Sequence, residues 1–292
     1  MPDLSYLPQI ALSGVGIGCI YGLIGIGFCV IYNASGIVNF AQGAFVMLGG
    51  MITHTALHRY GVPLILSAVI AFAAVAVIGI AIECLVVRPL WTRGAAMFVM
   101  ILATLAAQIV IERATLIAVG DQPRTLPAFT DRPPLMIAGL AVNTQFLWIF
   151  VTSLVTVGLL ALFFKATIIG KAMRACAINR EAAALQGIRV SRMLALSFAL
   201  SAGLGALAGI LITPTQYTAF NVGVPYAISG FIAAIVGGFG RPLGAFFGGI
   251  MLGLAQAVAI VVFGAGFKNV AALSVLLLFL FLRPSGILGS SK

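Results

Sequence analysis

The chain alternates long apolar stretches with short polar ones. Apolar runs near the roughly 20 residues that cross a bilayer as helix occupy 10–31, 37–57, 64–87, 95–119, 145–164, 193–212, 243–263 and 268–283. A ninth stretch, Val222 to Gly238, is short and glycine-rich and runs into GGFGRPLG. It fits either a full crossing or a re-entrant half-helix buried by its neighbours. No run has the strict alternation of a membrane barrel strand, so helix is predicted throughout. The expected fold class is all-α: a polytopic transmembrane helical bundle of about 8–9 spans, with residues 1–292 forming one domain.

Composition supports that pattern. The chain is 62% hydrophobic and 8% charged, against about 25% charged in soluble domains, which excludes a water-soluble fold. Its 34 glycines suit membrane helices whose backbones approach closely. The net charge of +10 is read as topology, because Lys and Arg collect in cytoplasmic loops; no nucleic-acid partner is expected. Cys19, Cys29, Cys84 and Cys176 have no C-x-x-C spacing and are expected to be free thiols. The start, MPDLSYLPQI, lacks the basic region of a cleavable signal, so the first apolar segment should be retained.

Loop charges set the orientation. Loop 88–94 has Arg88 and Arg93 without an acid, and 165–192 carries Lys165, Lys171, Arg174, Arg180, Arg189 and Arg192 against Glu181. Both are expected in the cytoplasm. Loop 120–144 balances Arg124 and Arg132 with Asp121 and Asp131 and is proline-rich, so it belongs outside. The N-terminus then lies outside, and Arg283 and Lys292 favour a C-terminus inside. An odd number of spans follows, which favours the ninth crossing.

The longest polar interruption is GKAMRACAINREAAALQGI, Gly170 to Ile188. Residues 170–178 suit a short helix, and Asn179 can cap a second one by accepting from backbone N–H groups. Glu181 falls in the first turn, where the helix dipole favours an acid. Gly187, just after Leu185 and Gln186, is a natural stop. Ala172, Ala175, Ala177, Ala182, Ala183 and Ala184 keep the profile slim. Such a slim, basic, structured loop can enter a groove on another protein; the plainer alternative is a charged loop that only fixes topology.

Polar residues inside the apolar runs are candidates for function. Asn39 and Gln42, three apart, would share a helix face beside Gly43, either facing a solute pathway or bonding a neighbouring helix. Thr104, Gln108 and Glu112 recur every four residues as one polar stripe, with Glu112 near Arg113 and the outer surface. Glu83 and Arg88 suit a local ion pair. His54 and His58 have helical metal-ligand spacing, but H-T-A-L-H lacks the glutamate of H-E-x-x-H, so no metal site is expected. Residues 237–249, GGFGRPLGAFFGG, break a helix and restart it, as a tight cytoplasmic turn or as an exposed backbone site in the membrane. The glycine-rich openings GVGIGCIYGLIGIG (14–27) and SAGLGALAGI (201–210) are compatible with a diverged duplication.

The polar segment 170–188, together with GLIGIGFCVIYNASGIVNFAQGAFVMLGG (22–50) and GFIAAIVGGFGRPLGAFFGGIMLG (230–253), resembles the LivH-type permeases of branched-chain amino acid ABC importers. The likeness is co-linear over nearly the whole chain. It implies a permease subunit in the bacterial inner membrane, paired with a second, homologous permease, two cytoplasmic ABC ATPases and a periplasmic solute-binding protein. It also implies a cytoplasmic coupling segment within 165–192, with Gly170, Arg174, Ala175, Asn179, Arg180, Glu181, Ala182, Leu185 and Gly187 as ATPase-coupling residues. Asn39, Gln42, Gly43, Thr104 and Gln108 would serve the translocation pathway. Many relatives have a His where Gln42 stands, so proton exchange there is not expected.

The sequence fits that division of labour. The one Gly-Lys pair, Gly170-Lys171, is followed by Ala172 and lacks the upstream glycine of a phosphate loop. The chain is therefore expected to bind no cofactor and to be no enzyme, with ATP and Mg on partner subunits. A family member carrying urea, amides or small organic acids is the alternative. A secondary transporter would need a midplane acid, yet Glu83 and Glu112 lie near segment ends. An intramembrane hydrolase would need a G-x-S-x-G or H-E-x-x-H motif, and neither is present.

Overall fold

The computed structural model describes residues 7–130, 133–137, 140–283 and 285–287, so Asp131, Arg132 and Lys292 lie outside the described residues. In hydrocarbon every backbone N–H and C=O must bond within its own segment, and the apolar runs accordingly form helices. They are α1 (Leu7–Ser35), α2 (Gln42–Tyr60), α3 (Leu64–Ile82) and α5 (Met97–Val119). A π-helical turn, Glu83–Val87, joins α3 without a break to α4 (Arg88–Thr92). A small antiparallel hairpin, β1 (Leu135–Ile137) and β2 (Leu140–Val142), precedes α6 (Thr144–Ala166). Then come α7 (Ile168–Ile178), α8 (Arg180–Leu185), α9 (Val190–Ile212), α10 (Gly223–Gly237), α11 (Pro242–Phe263) and α12 (Lys268–Leu282).

Among the described residues, seven segments are long and apolar enough to cross a membrane: α1, α3 with α4, α5, α6, α9, α11, and α12 with the short 3-10 turn before it. The more polar α2 and the 15-residue α10 complete the bundle. Contacts at the two ends give the direction of each helix. At one end Asn33 Nδ2 donates to the Gly240 carbonyl at 2.7 Å, Arg180 lies over Trp91, and Ile287 N donates to the Val236 carbonyl at 2.9 Å. At the other, Arg124 and Thr218 bridge as a strand pair, His54 Nδ1 lies 2.8 Å from the Thr125 carbonyl, and Gln9 Nε2 donates to the Ala141 carbonyl at 2.7 Å. Helix α10 starts beside Gln216 and Tyr217 at this second end and finishes beside Ile287 at the first. The 222–238 segment therefore runs from end to end. Its helix covers only about 22 Å at 1.5 Å per residue; the buried Thr213, Thr218 and Ala219 of the preceding turns make up the remaining depth.

Two helices hold the centre, α1 and α9, and both are glycine-rich for the same physical reason. A Cβ at Gly18 of α1 would sit 2.6 Å from Ile250 Cα of α11, and one at Gly209 of α9 would run into the Val46 carbonyl of α2. Helix α3 meets α9 just as closely, with a Cβ at Gly79 falling 2.7 Å from the Phe198 carbonyl. Both glycine-rich openings, 14–27 and 201–210, thus lie in close central packing. At the periphery, α5 and α12 leave Val110, Ile117 and Phe281 exposed.

The run predicted as one apolar segment at 37–57 is divided. Gly36 adopts φ +66° to end α1, residues 36–41 are non-helical, and α2 begins only at Gln42. Asn39 and Gln42 therefore do not share a helix face as their spacing predicted. Instead Asn39 Oδ1 accepts from Ala41 N at 3.1 Å, a local turn that competes with helix.

Candidate functional site

The segment between α6 and α9 folds as two capped helices at the end of the bundle that also carries Trp91 and Gly240. Thr167 Oγ1 accepts from Gly170 N at 2.9 Å to start α7, and Asn179 Oδ1 accepts from Ala182 N at 3.0 Å to start α8. Glu181 lies in the first turn of α8, and Gly187 at φ +80° lets the chain turn away after Leu185. On the inner face Met173, Cys176 and Ala183 are buried, and Gly170 lies so close to the Phe163 carbonyl that no side chain fits. Ala175 and Ala182 stay clear of the bundle as small, partly or fully exposed residues. On the outer face Ile178 and Leu185 are 88% and 87% exposed. Two uncovered aliphatic side chains on a rigid, basic edge are suited to a protein surface rather than to water.

Arg180 does not point outward with them. Its guanidinium stacks 5.2 Å from the Trp91 ring centre, and a Cβ added at Gly36 would lie 2.9 Å from its Nη2. Desolvation there lowers its pKa from the usual guanidinium value. One side chain thus joins α8 to α4 and to the break between α1 and α2. Arg174, by contrast, is exposed and borders a cleft between α6 and α11. Trp91, Gly36, Thr167 and Ile178 did not stand out in sequence; only Thr167, three residues before a glycine at a helix start, left a local capping signal.

The pathway candidates gather where α2 begins. Backbone donors at and just before an interrupted helix start need acceptors, and the polar stripe of α5 supplies two: Thr104 Oγ1 accepts from Phe40 N at 3.2 Å and Gln108 Oε1 from Ala44 N at 2.6 Å. Gln42 Nε2 donates to the Ser201 carbonyl at 3.1 Å, and Ser201 Oγ lies 2.7 Å from Gln42 Oε1 and 2.9 Å from the Gly27 carbonyl. Gly43 meets Gly223 backbone to backbone, which brings α10 against α2. Two amide nitrogens in this junction, Asn39 Nδ2 and Gln108 Nε2, are buried without a partner in the described chain.

Other candidates have local roles. Arg88 Nη2 lies 2.7 Å from Glu83 Oε2 and Nε lies 3.1 Å from Oε1, a forked pair in which Glu83 is fully buried. The π-turn creates it by bringing residues five apart onto one face. The His54 and His58 rings are 4.3 Å apart, and among the described residues no group of three His, Cys, Asp or Glu could hold a metal. Glu112 is half-buried in the second half of α5, toward the end of the bundle where Arg124 meets Thr218. The four cysteines are free. A polar chain not singled out in sequence runs toward that same end: Tyr21 OH donates to Gln256 Oε1 at 2.9 Å and Tyr226 OH to Gln216 Oε1 at 2.7 Å. The isolated Gln256 in an apolar run was its one signal.

Residues 10–282 match the family model described as branched-chain amino acid transport system / permease component. The high-affinity branched-chain amino acid transport system permease protein BraD of Pseudomonas aeruginosa is 32% identical, covering 99% of this chain and 98% of its own. LivH of Escherichia coli, named as a permease protein of the same kind of system, is 30% identical over 97% of this chain and 96% of its own. A probable LivH of Methanocaldococcus jannaschii is 30% identical over 91% and 88%. In fold the chain is similar to a chain of PsaBC from Streptococcus pneumoniae in complex with Fab, with a TM-score of 0.53 at 12% identity over 97% of this chain and 94% of the other.

Proposed function

The chain belongs to the family of branched-chain amino acid transport permease components, and on that premise we propose that it carries branched-chain amino acids across the inner membrane in an ATP-driven importer. It is a multi-pass membrane protein and the transport subunit of such a system; ATP hydrolysis is the task of separate subunits. The observation that carries the reading is the α7–α8 pair: two caps, a basic edge, and Ile178 and Leu185 left uncovered. An ATPase groove that takes this pair would pull on Arg180, and through it on Trp91 and on the chain at Gly36.

The proposed assembly has a second, homologous permease, two cytoplasmic ATPases that hold ATP and Mg, and a periplasmic solute-binding protein. The exposed apolar faces of α5 and α12 fit a partner permease within the bilayer. Of the pathway candidates, Gln42, Gly43 and Thr104 fix the shape of the α2 start, whereas Asn39 and Gln108 keep amide donors that a passing solute could use. Transient donors suit a path, since a solute must leave as readily as it enters.

The test is uptake of labelled leucine by proteoliposomes containing this chain with the proposed second permease, ATPases and binding protein. ATP-dependent accumulation is expected. Accumulation by the chain alone on an ion gradient overturns the importer reading; ATP-driven uptake of urea or an amide instead of leucine overturns only the solute.

A further inference from the structure

We propose that the cleft between α6 and α11, at the end of the bundle bearing α7, binds an anionic glycerophospholipid of the cytoplasmic leaflet. Both helices pack on α1 and leave between them a cavity of about 530 Å³. Its wall is mostly apolar, with Ile26, Val30, Val157 and Leu160 among the lining residues, and the stretch from Val157 to Phe164 gives it a depth of about 10 Å at 1.5 Å per residue. At the end bearing α7 it is bordered by Arg174 of α7 and by Arg241 at the start of α11, and among the described residues no Asp or Glu lines it. Asn33 adds an amide at the same rim, held by its bond to the Gly240 carbonyl.

An apolar slot under two guanidinium groups matches one class of occupant: an acyl chain with a phosphate head. Arginine meets phosphate through paired N–H donors, and the cytoplasmic leaflet is the anionic one. A zwitterionic lipid would fill the slot equally well but would bring a choline group to a cationic rim. The wall comes from α1, α6, α7 and α11, so a bound lipid would brace the coupling segment against the bundle. Which solute is carried does not enter.

The experiment is native mass spectrometry of the full chain, purified as the assembly it forms, with dioleoyl phosphatidylglycerol and dioleoyl phosphatidylcholine competing at equal concentration. Each basic side chain near an anionic surface contributes enough for the pair to favour phosphatidylglycerol by about tenfold or more. The double variant R174Q/R241Q is expected to bring retention of the two lipids close to equal. Ala161→Trp, which fills the slot from α6 and leaves both arginines in place, is expected to lower retention of both lipids in assemblies of unchanged size. It decides the matter alone if the double variant does not assemble. Equal retention of the two lipids by the unaltered protein overturns the proposal, as does a preference for phosphatidylglycerol with retention that Ala161→Trp leaves unchanged. A disulfide between two copies at Ala161→Cys would assign the cleft to a second chain and likewise overturn it.

Discussion

The guanidinium of Arg180 lies 5.2 Å from the centre of the Trp91 ring, so α8 is fastened to the bundle by a cation–π contact. Such contacts contribute about 0.5–1 kcal/mol when partly exposed. Charge reversal at Arg180 turns that attraction into repulsion and should separate ATP hydrolysis from uptake by about tenfold, while the assembly still purifies intact. Arg174, exposed on α7, should show the smaller effect. The check is the ratio of uptake to hydrolysis in vesicles for Arg180→Glu, Arg174→Glu and the pair; a normal ratio in the double variant removes the coupling role from both.

Backbone approach in the centre predicts a sharp contrast between two glycines. A methyl group at Gly209 has the Val46 carbonyl in its way, whereas Gly158 on the outer side of α6 has nothing within 4 Å. Gly209→Ala should cost about 1–3 kcal/mol, the usual range for overpacking, and Gly158→Ala close to nothing. Thermal unfolding of the purified assemblies checks the difference.

Gln42→Leu is expected to reduce assembly and uptake together, because both ends of its amide are engaged by Ser201. Interhelical hydrogen bonds in membranes average about 0.6 kcal/mol and reach about 1.7, so a double-mutant cycle with Ser201→Ala should give a coupling within that range. Asn39→Leu removes an amide whose nitrogen has no partner in the described chain, and should lower uptake more than assembly. Equal loss of both on Asn39→Leu would make that residue a packing element.

Much of this architecture was legible from periodicity and chemistry. The caps at Asn179 and the stop at Gly187 could be read because capping is local: the acceptor and its donor lie three residues apart. The α5 stripe could be seen to need a polar neighbour, but not which one. Its partners are the N–H groups of Phe40 and Ala44, 64 residues away in sequence for each bond. The break at 36–41 was hidden for a related reason. Ile37, Val38 and Phe40 are as apolar as any helix, and only Gly36 and the Asn39 turn mark the interruption. Arg180 looked like a surface charge because nothing near it in sequence announces Trp91.

The Glu83–Arg88 pair predicts an asymmetry. Glu83 is fully buried and Arg88 keeps 38% of its side chain exposed. Removing the arginine strands a buried carboxylate, at about 3 kcal/mol, the low end for breaking a buried pair. Glu83→Gln leaves a guanidinium that can still reach water, so Arg88→Ala should be the more destabilising change. Unfolding midpoints of the two variants test the order; the reverse order would falsify the burial-based assignment.

The direction of α10 has its own test at Arg241. Were the 222–238 segment to turn back, Arg241 would lie outside with Gln216 and Tyr217. Instead Arg241 lines the same cleft as Arg174 of α7, and its neighbour Gly240 accepts from Asn33 at the end of α1. A cysteine at Arg241 should therefore resist a membrane-impermeant thiol reagent added outside intact cells and react once the inner face is opened. The background should lack the four native cysteines, although Cys176, also at this end, is expected to react slowly by itself. It is buried, and burial raises its thiol pKa above the ordinary value, so it should be alkylated more slowly than an exposed thiol at the same pH, with a rate that rises with pH. Rapid labelling of Arg241→Cys from outside would reverse α10, α11 and α12 together.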